Sequence, residues 1–263
     1  MGAADVCPFI PLAGIGMDDC IEIAQTAGER MGERLGHPVY MYGRAARRPD
    51  RMELSAVRQG GYEELEDKLK SDAGRPDFGP SRFNPKTGAT AVGVRELLIA
   101  YNVNLATENV EIAREIARIV RAGNPAVDAA SQARLPGCRA MGWSMPSYGC
   151  VQVSMNLVNL RLTPPHLALD VIRLLAEARG VEVNGSELVG MAPLAMLLAA
   201  GRHSRQKDGL APDAPDDDLV SAAIKGLGLN AVRPFDPQKQ VLEYRLSQEG
   251  GEWAAAAERT FRV

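Results

Sequence analysis

The sequence is poor in the residue pairs that hold metals. Its four cysteines, Cys7, Cys20, Cys138 and Cys150, show no CxxC spacing, and its three histidines, His37, His166 and His203, lie far apart. Structural zinc sites normally draw on closely spaced ligand pairs, so no metal is expected, and the cysteines read as buried thiols of a reducing compartment. Also lacking are any run of about 18 apolar residues and the basic start, apolar stretch and small-residue cleavage site of a secretory leader. A soluble, cytoplasmic protein without a membrane partner is expected. Nor is positive charge in excess: 30 Lys and Arg against 33 Asp and Glu, mixed along the chain, leave a net charge of -3. No polycationic face is available to neutralise phosphates, so nucleic acid is not an expected partner.

What is present suits a globular enzyme. Hydrophobic residues make up 46% of 263 and charged residues 24%, enough apolar material for a core in a chain long enough for two subdomains. Asp5 to Leu12 reads as a strand. From Met17, apolar residues at Cys20, Ile21, Ala24, Ala27, Met31 and Leu35 follow a 3.6-residue period with acids in the first turn, so a helix is expected to Leu35, stopped by Gly36. Pro38 to Tyr42 reads as a strand, 43–51 as a basic loop, and 52–70 as two helical pieces broken at Gly60-Gly61. Between Ser71 and Gly93 seven Gly and Pro residues interrupt any period, so a long irregular loop is expected, a feature disproportionately tied to function.

The remainder is more regular. Leu97 to Leu105 reads as a strand, Thr107 as the N-cap of a helix to Arg121, and Cys138–Met145 and Cys150–Leu157 as a hairpin around Pro146-Ser147-Tyr148-Gly149. Pro164-Pro165 opens a helix to about Arg179, and Val181-Glu182-Val183 begins a last strand ending near Glu187. Strand, helix, strand, strand, helix, strand is the ferredoxin-like order. Short helices are expected at 193–202, 217–226 and 237–244. Asn102 and Asn104 share one strand face, and Gln152, Ser154 and Asn156 share another, which sets neutral amides where a ligand can be hydrogen-bonded without burying charge.

Several strings resemble the formiminotransferase domain of the glutamate formiminotransferases, including the bifunctional formiminotransferase-cyclodeaminases. They are residues 2–10 with Pro11, Pro38-Val39-Tyr40, Tyr42 to Arg47, Pro76-Asp77-Phe78-Gly79-Pro80, Gly88-Ala89-Thr90, Leu98 to Leu105, Gln152 to Leu157 and Gly185 to Gly190. The resemblance covers about residues 2–245 in one order. It implies an α/β fold of two subdomains: residues 1–96 as an incomplete N-terminal one, 97–245 as a ferredoxin-like C-terminal one with extra helices, and 246–263 as a tail. An incomplete sheet built on 5–12 and 38–42 is expected to carry an open edge.

The resemblance further implies transfer of a formimino group from N-formimino-L-glutamate to N5 of tetrahydrofolate in histidine degradation, by a homodimer, with folate in the cleft between the subdomains. Tetrahydrofolate is the co-substrate and no metal is implied. The folate loop falls on Gly79, Pro80, Ser81, Arg82, Phe83, Asn84, Pro85, Lys86, Thr87 and Gly88. Arg47, Asn102, Asn104, Gln152 and Asn156 are the substrate-side candidates, with Arg47, Arg82 or Lys86 suited to an anionic glutamate. A His-Pro-Arg triplet of the family stands immediately before the position of Met1. Its histidine is the implied general base, so no catalytic residue is assigned within this sequence and impaired transfer is expected. Arg44 also departs from the family's usual glutamate. A non-catalytic folate-binding or scaffolding chain, complemented by a separate N-terminal polypeptide, is the alternative, and a ferredoxin-like small-molecule sensor is a third reading.

Overall fold

The structure is a computed structural model that describes residues 1–121 and 135–251. The chain divides into two compact units, Met1–Leu97 and a second beginning at Leu98. Each is described by itself.

In the first unit β1 (Val6–Phe9), β2 (Val39–Gly43) and β3 (Thr90–Val94) form a parallel sheet in the order β1-β3-β2. Helix α1 (Met17–Leu35) is held at its start by the Asp19 carboxylate, which accepts from the Gly16 N–H at 3.0 Å, and it stops at Gly36 with φ 58°. The fully buried stripe of α1 is Cys20, Ala24, Gly28 and Gly32; the first two follow the sequence period, Ile21 and Met31 pack partly buried beside them, and Leu35 stays 71% exposed. Small residues let the helix lie close: a Cβ on Gly28 would sit 2.9 Å from the Met41 sulfur, and one on Gly32 only 2.5 Å from the Gly79 nitrogen. On this side of the sheet Cys20, Ala24, Val39, Met41, Val92 and Val94 form one cluster. Tyr40, Tyr42 and Ala91, alternating to the other side, pack with Val57 and Leu65 of α2 (Leu54–Val57) and α3 (Leu65–Leu69).

One expectation fails here, and another holds for only one side of the sheet. Residues 90–94 are not loop but the central strand, buried on both faces as central parallel strands are. The glycine that made them look irregular, Gly93, makes room for the Tyr42 ring, 2.5 Å from where its Cβ would be. Of the two edges of the sheet, that of β2 is closed, whereas β1 is an edge strand whose only partner among the described residues is β3. Val39 donates to the Phe78 carbonyl at 2.9 Å, Asp77 N–H donates to the Val39 carbonyl at 2.9 Å, and the Met41 N–H reaches the Asp77 carboxylate at 2.7 Å. Residues 77–78 thus cover the edge. One of the four thiols, Cys7, is half-exposed rather than buried.

In the second unit β4 (Ile99–Leu105), β5 (Cys138–Met145), β6 (Cys150–Leu157) and β7 (Val183–Val189) form an antiparallel sheet in the order β5-β6-β4-β7. With α4 (Val110–Val120) between β4 and β5 and α5 (Pro165–Glu177) between β6 and β7, this is the ferredoxin-like arrangement. Asn109, not Thr107, caps α4: its side chain accepts from the Glu111 N–H at 3.1 Å, while Thr107 supports the Asn109 N–H at 3.2 Å. One sheet face is apolar. Tyr101, Val103, Val151, Val153 and Met155 pack there with Ile116 and Ala117 of α4 and Leu169 and Ile172 of α5. Helices α6 (Leu194–Lys207), α7 (Asp216–Leu227), α8 (Pro237–Gln240) and α9 (Leu242–Glu249) follow, so the assigned tail from 246 begins inside a helix. The part of that tail after 251 lies outside the described residues.

Candidate functional site

Strand register lays out the opposite face of the second sheet in rows. Trp143 of β5 pairs with Gln152 of β6, Gln152 with Asn104 of β4, and Asn104 with Gly185 of β7. Directly paired residues share a face, so Trp143, Gln152 and Asn104 stand side by side. The next row holds Met141, Ser154, Asn102 and Glu187, and the one after it Arg139, Asn156, Ala100 and Val189. The sequence-derived candidates Asn102, Asn104, Gln152 and Asn156 are therefore together on one face, across two strands whose pairing no local pattern specifies.

Their environments differ. Gln152 is fully buried, Asn104 is 3% and Asn102 5% exposed, and Asn156 is exposed. The Trp143 indole donates to Gln152 Oε1 at 2.8 Å, and Gln152 Nε2 donates to Asn104 Oδ1 at 2.8 Å. Among the described residues nothing takes up the Asn104 Nδ2 protons or pairs with the Asn102 amide. Neither residue has an atom among those buried without a partner, so solvent reaches these amide ends, and a ligand that displaced it would meet amides held in fixed places. Glu187, beside Asn102, is held by Arg233 at 2.9 Å and is not a free acid.

The loop candidates belong to the first unit. Arg82 and Lys86 are exposed, and the Arg47 guanidinium lies 5.0 Å over the Phe78 ring. Phe83 is half-buried, its ring 5.4 Å from that of Tyr62, whose hydroxyl donates to the Pro85 carbonyl at 2.7 Å. Asn84 closes the tip: its side chain accepts from the Lys86 N–H at 2.9 Å and its carbonyl from the Gly88 N–H at 2.8 Å. Pro80, Ser81 and Thr87 are exposed. The glycines serve the loop's own fold. Gly79 and Gly88 have φ of 79° and 63°, and a Cβ would fall 2.2 Å from the His37 carbonyl oxygen or 2.1 Å from that of Met1.

Sequence reasoning missed what anchors this loop. Asp77 and Arg51, both nearly buried, pair at 2.6 Å, and Arg51 also donates to the Arg75 carbonyl at 2.6 Å. The signal available was Asp77 inside one of the family-like strings; nothing marked Arg51 apart from its basic neighbours. His37 lies between two threonine hydroxyls. The Thr90 hydroxyl donates to the Ala4 carbonyl at 2.6 Å and so accepts from His37 Nε2 at 2.7 Å, which leaves Nδ1 to accept from the Thr87 hydroxyl at 3.3 Å. Burial holds the His37 pKa down, in keeping with a neutral ring. Asp5 is paired with Arg58 at 2.6 Å.

His166 and His203 are on the helical side of the second unit, stacked with ring centroids 4.6 Å apart. His203 Nε2 is 2.7 Å from the Asp170 carboxylate, which also takes Lys207 Nζ at 2.6 Å. Burial first, and the neighbouring His203 second, push the His166 pKa down to about 4. Neither ring belongs to the amide face. No group of three or more His, Cys, Asp or Glu arranged to hold a metal occurs among the described residues.

Residues 1–95 match the sequence model described as formiminotransferase domain, N-terminal subdomain, and residues 100–247 match that described as formiminotransferase domain. A formimidoyltransferase-cyclodeaminase of Sus scrofa is 40% identical over 252 residues, 96% of this chain and 46% of that protein. A glutamate formimidoyltransferase of Thermoplasma acidophilum is 41% identical over 210 residues, 79% of this chain and 66% of the relative. Another, of Streptococcus pyogenes serotype M1, is 38% identical over 246 residues, 94% and 71% of the two chains. The chain thus spans less than half the length of the cyclodeaminase relative and the larger part of the other two.

Proposed function

The chain belongs to the formiminotransferase family, and we propose that it takes part in transferring a formimino group from N-formimino-L-glutamate to N5 of tetrahydrofolate in histidine degradation. In that reaction a bond forms between N5 and the formimino carbon, the bond from that carbon to the glutamate nitrogen breaks, and the N5 proton ends on the departing nitrogen. The observation that carries the reading is the amide face of the second sheet, where Asn102 and Asn104 are nearly buried yet keep free hydrogen-bonding capacity. Neutral amides of this kind hold a polar, flat or zwitterionic ligand without an isolated buried charge.

In this reading the amide face of the second unit holds a reacting group in place, and in the first unit the exposed Arg82 and Lys86 of the 79–88 loop, with Arg47, are cations of the kind that bind a carboxylate. Positioning two reactants converts a bimolecular step into an effectively unimolecular one, the kind of contribution amides at fixed places can make. The test is a transfer assay with formimino-glutamate and tetrahydrofolate, paired with calorimetric folate binding. Turnover that falls about tenfold or more in Asn104→Ala, with the melting temperature kept, is the expected outcome, since a lost hydrogen bond to a reacting group is worth that much. Turnover unaffected by Asn102→Ala and Asn104→Ala would sink the assignment. Folate binding without turnover favours the alternative of a folate-binding or scaffolding chain.

A further inference from the structure

The row Trp143–Gln152–Asn104 has a direction. An indole N–H can only donate, so the atom of Gln152 that meets it at 2.8 Å must be the carbonyl oxygen. Gln152 then turns its NH₂ group toward Asn104, 2.8 Å away, and the Asn104 atom that meets it must be the oxygen. Both amide orientations follow from hydrogen-bond chemistry alone. The consequence falls at the far end of the row. The Asn104 oxygen is engaged, and what remains for a ligand is its Nδ2 with N–H donors. Gly185, next in the row, adds no side chain; the space a side chain would take there is filled by the Ala231 methyl and by the Gly228 carbonyl, which already accepts from the Ser186 and Ala231 N–H groups.

We infer that Trp143 is a positioning residue, which through Gln152 locks Asn104 as a hydrogen-bond donor, so that this point of the amide face selects a ligand presenting an acceptor oxygen, carbonyl or carboxylate. The inference deepens the proposed function, on which it rests for the ligand's identity: a pterin supplies the oxygen as a ring carbonyl and glutamate as a carboxylate. The lock is structural. Gln152 is fully buried and has no room to solvate a flipped amide, while the indole sits at the partly exposed end of the row, where its donor has one fixed acceptor. Asn102, without a partner in the next row, is free to present either end of its amide.

Two measurements test it. First, in the ligand-free protein the Trp143 indole proton should be protected from solvent exchange by Gln152. Gln152→Met removes the acceptor and should accelerate that exchange about tenfold or more, the size expected for one lost hydrogen bond. Equal exchange in both proteins overturns the inference. Second, Gln152→Glu has only acceptors once its carboxyl is ionised, so it is read at a pH high enough to ionise it; burial raises a carboxyl pKa, and the neutral acid would still donate to Asn104. Trp143 still donates to one oxygen, but Asn104 must turn its NH₂ to the other, and the face then presents an oxygen. Titrating wild-type protein with a pterin lacking the glutamate tail, and separately with L-glutamate, identifies which source shifts the Asn104 side-chain amide resonances. Affinity for that probe should fall by about 10²-fold in Gln152→Glu, because the site then opposes acceptor to acceptor, and by less in Trp143→Phe, where either orientation becomes available. Unchanged affinity in Gln152→Glu at a pH where the pH dependence shows the carboxyl ionised, with the melting temperature confirming the fold, overturns the inference. Failure of wild-type protein to bind folate or to turn over formimino-glutamate, while the exchange result holds, counts against the proposed function and leaves the lock intact.

Discussion

Replacing Asp77 by alanine should unfold the first unit far more readily than any exposed substitution in it. The Asp77 carboxylate takes two donors, Arg51 Nη1 at 2.6 Å and the Met41 N–H at 2.7 Å, and the two paired side chains are only 5% and 6% exposed. Without it the Arg51 guanidinium keeps two carbonyls, of Arg75 at 2.6 Å and Ala73 at 3.3 Å, and the face of Tyr40 at 5.0 Å. These acceptors are neutral, so a buried charge stays uncompensated, at a cost of about 3–5 kcal/mol. That figure already includes the orphaned Met41 N–H. Against a typical domain stability of about 5–15 kcal/mol it is a large fraction. Asp77→Asn keeps an acceptor for Met41 and should cost less, about 1.5–3 kcal/mol, the share of a charged hydrogen bond. Removing both charges with Arg51→Met in the Asp77→Asn background should recover part of the loss. Both tryptophans, Trp143 and Trp253, lie outside this unit, so the assay is hydrogen exchange resolved to the peptides of β2 and β3. Exchange there should quicken by about 10²-fold or more in Asp77→Ala, since each 1.4 kcal/mol is a factor of ten. A cost below about 1 kcal/mol, the scale of a surface pair, would refute the reasoning.

Three other outcomes can be checked together. Gly88→Val and Gly79→Val should lower the melting temperature outright, by the strain of a positive φ of about 1–2 kcal/mol plus the clash of Cβ with a backbone carbonyl; melting at the wild-type temperature with folate binding lost would return these glycines to the ligand. His166, whose folded pKa of about 4 lies below its usual value, binds fewer protons folded than unfolded, so stability should be lost as pH falls from about 6.5 to about 4 and level off below. His166→Phe keeps a ring against His203, in the surroundings of Asp170 and Lys207, and should flatten that limb of a urea-midpoint titration; an unchanged limb would mean other groups carry it. Half-exposed Cys7 should react first with a thiol reagent, while burial, which pushes the Cys138 pKa up to about 12, should keep that thiol inert until unfolding.

How far the sequence could be read depended on whether the deciding contacts were local. Helix α1 ended where Gly36 stood, and the β5–β6 hairpin turned at Pro146 to Gly149, because a C-terminal glycine and a turn act within a few residues. β3 escaped notice for the opposite reason. A central parallel strand draws its identity from both neighbours, and its Gly93, which reads locally as a breaker, exists to admit the Tyr42 ring from another strand. The stripe of α1 was legible only in part: Cys20 and Ala24 follow the period, whereas Gly28 and Gly32 are set by the close approach of Phe78 and Gly79.

The amide face shows the same division. Period-two spacing alone puts Asn102 with Asn104 and Gln152 with Asn156, since alternation belongs to the single strand. That Asn104 meets Gln152, and that the row begins at Trp143, depends on a register between β4, β5 and β6 that no one strand contains. The chemistry followed from that register. Two amides read singly can each present donor or acceptor; joined in a row to an indole they cannot. A glutamine at 152 is therefore not interchangeable with an ionised glutamate, although the two are nearly isosteric, because a carboxylate has no donor with which to pass the direction of the indole N–H along to Asn104.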